Sequence, residues 1–298
     1  MSYKIFISNY ADNKLIFSLT KPRNMSIEKS IRINEGHNIH KKTFGKSIII
    51  AGAAGYLGAA IIASKAALKT GSRYIMLMTT KDHSNIFSTY QPEIITSTVL
   101  KYGELGKFKN ILIGPGLSED LWSQRIFKKV IRYLDQKDSM QNIVADAGFL
   151  GLLAKNKFRY DNWILTPHEG EAAKLLETSS KIVNSDREYA AKEIQRIYGG
   201  IIILKGHKTI VRTSNSAYFC SHGNSGMATA GMGDCLAGII LSLLTTSNKS
   251  NYVNSILYAV GIHSLAADLI KDETGTIGLI ATDVIEKINK LLNTFNVK

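Results

Sequence analysis

Lys46-Ser-Ile-Ile-Ile-Ala-Gly52 is a short β-branched run ending in glycine. It is followed by a turn, Gly55-Tyr-Leu-Gly58, an alanine-rich stretch over 59–70, and a second apolar run, Arg73-Tyr-Ile-Met-Leu-Met-Thr79. Short apolar runs bounded by turn signals predict buried strands, and the alanine-rich stretch stopped by Gly71 predicts a helix. Strand, turn, helix and strand make a βαβ unit of ordinary size. The alternation continues through Asn110-Ile-Leu-Ile-Gly-Pro-Gly116, Asn142-Ile-Val-Ala-Asp146 and Asp161-Asn-Trp-Ile-Leu-Thr-Pro167. Ile201-Ile-Ile-Leu-Lys205 and Lys208-Thr-Ile-Val-Arg212 extend it. Helices are expected over 121–135, 169–176, 186–198, 236–244, 253–269 and 281–292. Such an order argues for an α/β fold whose largely parallel sheet is covered on both faces. Residues 37–298 are expected to form one domain, with 1–36 an N-terminal extension or edge element.

Special residues fall where strands end. Gly52, Gly114, Asp146, Thr166-Pro167-His168 and Lys205-Gly206 all lie just past apolar runs. In open parallel sheets, ligands bind in the crevice outside the carboxyl ends of the strands. Turns also use Gly, Pro and Asp for purely local reasons.

Asn224-Ser-Gly-Met-Ala-Thr-Ala-Gly-Met-Gly-Asp234 is a small-residue loop that runs into one carboxylate and then an apolar helical pattern. Unpaired amides at a helix N-terminus, with the helix dipole, favour an anion such as phosphate. A carboxylate beside that anion is electrostatically awkward unless it handles a proton or a metal. Glycine patterns of this kind are common, and Asp is frequent in a first helical turn for its own sake.

Composition narrows the classes. The chain has 298 residues, 45% hydrophobic, enough for a large buried core. A net charge of +13 raises nucleic-acid binding. The cations are scattered, however, with small clusters at His40-Lys41-Lys42, Lys128-Lys129 and Lys205 to Lys208. A basic surface that attracts an anionic small molecule accounts for the balance equally well, and no nucleic-acid partner is expected. Apolar runs fall short of the roughly 18 residues of a membrane span, so no membrane partner is expected either. The first residues lack a secretory pattern, and Cys220 and Cys235 offer neither a disulfide framework nor a zinc spacing. Cytoplasm is the expected location.

Several segments together resemble the ADP/ATP-dependent NAD(P)H-hydrate dehydratases. They are Gly55-Tyr-Leu-Gly-Ala-Ala60, Gly114-Pro-Gly-Leu-Ser118, Asp146-Ala-Gly148, Leu165-Thr-Pro-His-Glu-Gly-Glu171, Leu204-Lys-Gly206 and residues 224–234, in that order. His40-Lys41 with Phe44-Gly45 resembles the opening of that domain, and Gly278-Leu-Ile-Ala-Thr-Asp283 its close. The resemblance covers about 37–292. It implies a ribokinase-like, three-layer α/β/α sandwich and a lyase that repairs 6-hydrated NADH or NADPH at the expense of ADP or ATP. It further implies Asp234 as the catalytic base. Ala60, Gly116, His168 and Asp234 would contact the hydrated dinucleotide, while Lys205, Gly206, His207, Lys208, Thr209 and Gly233 would contact the adenine nucleotide. Mg²⁺ is implied as cofactor, with Glu171 a weak candidate ligand and Glu169 beside it, and a homotetramer as assembly. His263, inside an apolar helical pattern, is expected to be a satisfied core histidine, and Cys235 a packing residue.

The chain departs from that pattern within the loop. Ala230-Gly231-Met232 stands where the family usually has Gly-Gly-Thr, and Asn224-Ser-Gly-Met227 where Asn-Pro-Gly-Met is usual. Met232 cannot offer a hydroxyl to phosphate. Many relatives carry an N-terminal epimerase domain, which this chain is too short to include, so the epimerase is expected separately. A kinase of the same fold acting on a vitamin-precursor hydroxyl is the rival reading, and a catalytically dead nucleotide sensor a second.

Overall fold

The computed structural model describes residues 2–9, 14–20, 45–101, 103–136, 140–246, 252–294 and 296–297. His40, Lys41, Lys42 and Phe44 therefore lie outside the described residues.

Twelve strands form one sheet among the described residues. They are β1 (Ser2–Asn9), β2 (Lys14–Thr20), β3 (Ser47–Ile50), β4 (Ile75–Met78), β5 (Ile95–Ser97), β6 (Asn110–Ile113), β7 (Asn142–Ala145), β8 (Trp163–Leu165), β9 (Ile201–Leu204), β10 (Ile210–Arg212), β11 (Ala217–Cys220) and β12 (Asn296–Val297). Their order across the sheet is β12-β2-β1-β11-β10-β9-β8-β7-β6-β3-β4-β5. From β5 to β9 every neighbour is parallel. From β9 to β12 every neighbour is antiparallel.

Among the described residues, ten α-helices pack on the two faces. They are α1 (Leu57–Lys69), α2 (Lys81–Tyr90), α3 (Leu121–Leu134), α4 (Gly148–Lys155), α5 (Glu169–Leu175), α6 (Ser180–Ser185), α7 (Arg187–Tyr198), α8 (Met232–Thr246), α9 (Tyr252–Thr274) and α10 (Ala281–Thr294). The strands point alternate side chains into two separate cores, which is why they read as continuous apolar runs. Ile49 and Leu112 pack with α1, α8, α9 and α10, whereas Ile48, Ile50, Ile111 and Ile113 pack with α3 to α7. These are the three layers that the alternation predicted.

The N-terminal strand is woven into this body. Ile5 and Ile7 are fully buried, and Ile5 lies so close to α9 that a side chain at Gly261 would meet it at 2.2 Å. By length and hydropathy α9 is the one described helix that could cross a membrane, but 72% of its apolar window is buried in the sandwich.

The chain runs from β3 outward through β4 to β5, then returns to the far side of β3 as β6. This reversal opens a crevice at the carboxyl ends of β3 and β6. Across it the Gly52 amide donates to the Pro115 carbonyl (2.9 Å) and the Ala53 amide to that of Gly116 (2.8 Å).

Candidate active site

Three ends of the parallel strands, the first turn of α5 and the start of α8 deliver the polar groups. Asp146, one residue past β7, is almost fully buried. Its carboxylate accepts from Lys205 Nζ (2.6 Å) and from Thr166 Oγ1 (2.8 Å). Lys205 follows β9, and its amide donates to the Pro167 carbonyl (2.8 Å), which locks the β8 and β9 ends together. The same ammonium lies 3.8 Å from Glu171 Oε2 in α5. Asp234 enters from the first turn of α8. The space between these elements is kept by glycine. Gly114 sits at φ +125°, and a Cβ there would stand 1.8 Å from the Asp146 carbonyl oxygen. A Cβ at Gly233 would meet Lys205 Nζ at 3.1 Å.

Asp146 and Glu171 thus share one ammonium within 4 Å, and the Asp234 carboxylate feels its charge as well. Burial pushes the Asp234 carboxyl up to about 7; the Asp146 charge adds to this, Lys205 opposes it and Glu171 adds a little more. Glu171 is likewise raised, chiefly by burial, with Lys205 opposing. Burial pulls the Lys205 ammonium down, but Asp146, Glu171 and Asp234 more than offset this and hold it above its ordinary value. A lysine kept charged and a carboxyl poised near neutrality are the groups that a proton-coupled phosphoryl transfer needs.

His168 turns out to be a helix cap. Its Nδ1 accepts from the Gly170 amide (2.9 Å), and the Glu171 carboxylate accepts from the His168 amide (2.8 Å), a reciprocal arrangement that satisfies two helix-end donors. Nδ1 is therefore unprotonated, and Nε2, 3.5 Å from Glu171 Oε1, is the nitrogen left for a ligand. Glu169 is exposed in the same turn. Gly116 lines the crevice half-buried, with exposed Tyr56 against it. Ala60 is fully buried beneath Gly52, so its methyl forms the floor and offers no open surface.

Gly206, His207, Lys208 and Thr209 form the exposed turn between β9 and β10, with Thr209 Oγ1 donating to the Gly206 carbonyl (3.1 Å). Nothing in the sequence pointed to Arg187, yet its guanidinium donates to the carbonyls of His207 (2.8 Å), Leu204 (3.0 Å) and Lys205 (3.0 Å). It braces the whole turn from α7. Thr166 was visible as a strand-end residue, but its bond to Asp146 spans 20 positions and has no local signal.

Met232 is buried in the α1/α8/α9 core. The residue that loses a hydroxyl at this position instead anchors the loop by apolar burial; its own amide donates to the Thr229 carbonyl (3.4 Å), and the Gly231 and Gly233 amides remain at the helix start. Cys235 is fully buried and its thiol is pushed far up by burial, so it packs as expected. His263 corrects an expectation: it is a core histidine, but its Nε2 has no hydrogen-bond partner, and burial holds the ring neutral by lowering its pKa to about 4.

Among the described residues, no three His, Cys, Asp or Glu side chains converge into a metal cage. The buried Asp146 carboxylate is already taken by Lys205 and Thr166. These donors do not fit a Mg²⁺ held by the chain alone.

Comparison with known proteins identifies the family. The family model for NAD(P)H-hydrate dehydratase matches residues 47–290. An ADP-dependent (S)-NAD(P)H-hydrate dehydratase from Neisseria meningitidis is 32% identical over 85% of this chain and 87% of its own length. A bifunctional NAD(P)H-hydrate repair enzyme from Coxiella burnetii is 36% identical over 85% of this chain, but the match takes in only 51% of that protein. The chain spans about half the length of such bifunctional relatives. Among solved structures, a Streptococcus mutans protein superposes with a TM-score of 0.77 at 26% identity, covering 92% of this chain and 94% of its own. The Bacillus subtilis ADP/ATP-dependent NAD(P)H-hydrate dehydratase co-crystallised with ATP and Mg²⁺ shares the fold, with a TM-score of 0.74 at 24% identity over 87% and 93% of the two chains. With its model spanning nearly the whole α/β body and the meningococcal protein matched along most of both chains, the chain belongs to the NAD(P)H-hydrate dehydratase family.

Proposed function

We propose that the chain restores NADH and NADPH from their 6-hydrated forms, using ADP in preference to ATP and releasing AMP and phosphate. The observation that carries the proposal is Asp234. Its carboxyl sits near neutrality beside a charged lysine, at the amide-rich start of α8. Hydroxide is a poor leaving group and phosphate a good one. Asp234 takes the proton of the ring hydroxyl as that oxygen attacks the terminal phosphorus of the nucleotide and the bond to the departing AMP breaks. The loop amides of Gly231 and Gly233 and the Lys205 ammonium hold the charge on the transferring group. The ring nitrogen lone pair then expels phosphate from the same carbon, the neighbouring carbon gives up its proton, and the double bond returns. Gly116 and His168 Nε2 bound the hydrated dinucleotide, with Ala60 as the floor. The turn from Gly206 to Thr209, held by Arg187, bounds the nucleotide together with Gly233.

Mg²⁺ belongs to this reading as an ion carried on the nucleotide phosphates, since the described side chains build no cage of their own; it would screen phosphate charge. The preference for ADP follows the name of the meningococcal relative. The reading includes a homotetramer, and exposed Ile86, Tyr90, Ile95 and Val99 around the edge strand β5 support an uncovered apolar contact surface. Light scattering measures the assembly directly. It also includes a cytoplasmic location, in keeping with two unpaired cysteines.

The deciding experiment incubates the chain with hydrated NADH and either ADP or ATP, and follows the near-ultraviolet absorbance of reduced nicotinamide. Nucleotide-dependent recovery of the signal is expected. A stable phosphorylated vitamin precursor with no recovery would establish the kinase instead.

A further inference from the structure

The loop that opens the nucleotide site is held at its start by a residue from outside the site. Asp268, on α9, accepts three hydrogen bonds from three consecutive residues. Its Oδ2 takes the Gly223 amide (3.0 Å) and His222 Nδ1 (3.3 Å), and its Oδ1 takes Asn224 Nδ2 (3.0 Å). Asn224, oriented in this way, turns its own oxygen to accept the Gly226 amide (3.0 Å), which sets the turn leading toward Gly231–Gly233. On the other side of the loop, Gly226 is packed against Thr276, where a Cβ would stand 2.9 Å from the carbonyl oxygen.

The tautomer of His222 follows from its partners. Its Nε2 accepts from the Phe6 amide in β1 (3.1 Å), so the proton is on Nδ1 and is donated to Asp268. The side chains of His222 and Asp268 are 14% and 26% exposed, a degree of shielding at which these bonds face limited competition from water.

We infer that Asp268 is the positioning residue of the 223–233 anion loop: it fixes the Asn224 side chain that shapes the loop, and His222 ties the same carboxylate to the N-terminal strand. The inference rests on the nucleotide role proposed for that loop. Asp268 touches neither phosphate nor hydrated ring. It acts by keeping backbone amides aimed before a ligand arrives, which lowers the ordering cost of binding. It also gives β1 a role in the site, because Phe6 belongs to the relay.

Asp268→Asn is the informative variant, because it is nearly isosteric. One amide oxygen can still serve Gly223 and His222, but the amide NH2 then faces the Asn224 NH2, donor against donor. If Asn224 rotates to relieve this, it abandons the Gly226 amide. The exchange variant Asp268→Asn with Asn224→Asp restores every bond, since the new carboxylate accepts from both the amide at 268 and the Gly226 N–H. Two readouts are used on the full chain. Hydrogen exchange of peptides covering 221–231 reports loop order without ligand, and titration with ADP reports affinity. Asp268→Asn is expected to raise exchange in that segment about tenfold and weaken ADP by about tenfold, with exchange in β3 to β9 unchanged and KM for ADP rising more than kcat falls. The exchange variant is expected to recover loop protection and to bind ADP at least about fivefold more tightly than the product of the two single losses predicts. Wild-type protection in Asp268→Asn, or strictly multiplicative losses in the exchange variant, would overturn the inference. A wild-type chain that binds ADP but restores no NADH sinks the proposed activity and leaves this inference standing. If the chain binds no ADP, the loop-exchange comparison still decides it.

Discussion

Replacing Asp234 with Asn tests the centre of the argument through stability and catalysis at once. Burial and the neighbouring Asp146 raise this carboxyl from an ordinary 3.8 to about 7. A group whose protonated form is favoured by the fold binds more protons folded than unfolded, so stability is present at low pH and is lost as pH rises from about 4 through about 7. About three units at roughly 1.4 kcal/mol each amounts to about 4 kcal/mol. Because the side chain is only half-buried, solvent screening trims this to about 2–3 kcal/mol. The neutral amide escapes that cost. At pH 8 Asp234→Asn should therefore unfold about 4–6 °C higher than the wild type, at about 2 °C per kcal/mol for a chain of this size. At pH 5 the folded carboxyl is mostly protonated but the unfolded one is already ionised, so about a third of the gap, about 2 °C, should remain, and it should close only below about pH 4. Turnover should move the other way, falling about 10²- to 10⁴-fold with loss of the base. In the wild type, kcat/KM should rise about tenfold between pH 6 and pH 8, as the ionised fraction grows from about a tenth to about nine tenths. Thermal unfolding at the two pH values and nicotinamide absorbance on the same samples supply all the numbers. A variant that is no more stable at pH 8 would show that the fold does not penalise this charge. Full turnover by the variant would show that Asp234 is not the base.

Other outcomes follow from neighbouring contacts. Lys205→Met removes the ammonium shared by Asp146 and Glu171, leaving buried carboxylates unpaired; a loss of about 3–5 kcal/mol in denaturant unfolding at pH 8 is expected, easing as pH falls. Gly114→Ala drives a methyl into the Asp146 carbonyl, and the strain at φ +125° adds to it; expression in the soluble fraction or unfolding midpoint should drop sharply, whereas Gly58→Ala, with open space around it and ordinary helical backbone, should cost far less. Arg187→Ala leaves the carbonyls of 204, 205 and 207 without their donor, so KM for ADP should rise about tenfold with kcat less affected. Cys235 should remain unmodified by a thiol reagent in the native chain over hours, because the thiol is buried and held protonated; rapid labelling would contradict its placement.

Much of the parallel half was legible from residue order. Runs such as 46–52 and 110–116 face two cores, so both faces are apolar and the strand signal is strong. The hairpin β1–β2 was not legible, since alternating polar and apolar residues over 2–9 take their meaning only from α9, more than two hundred residues away. Helix α4 was missed because its start at Gly148 is brought about by a packing need: a Cβ there would stand 2.0 Å from the Leu117 carbonyl oxygen. Helix α2, with few apolar residues, buries only Ser84 and Phe87. In the site, the strand-end placement of Asp146, Lys205 and His168, and the helix-start placement of Asp234, were readable. Their mutual contacts were not.

What the order of residues determined by itself was the alternation of strands and helices, the position of the crevice outside the strand ends, and a glycine-bearing loop running into Asp234. These rest on local chemistry: β-branched runs, glycine turns and helix starts act within a few residues of chain. The tertiary structure alone decided which charges meet. It put three carboxylates around the Lys205 ammonium, left the His263 Nε2 unpartnered and hung the 223–233 loop on Asp268. Burial and distance, not residue type, set a carboxyl near neutrality, and both are properties of elements far apart in sequence brought to one crevice by the sheet.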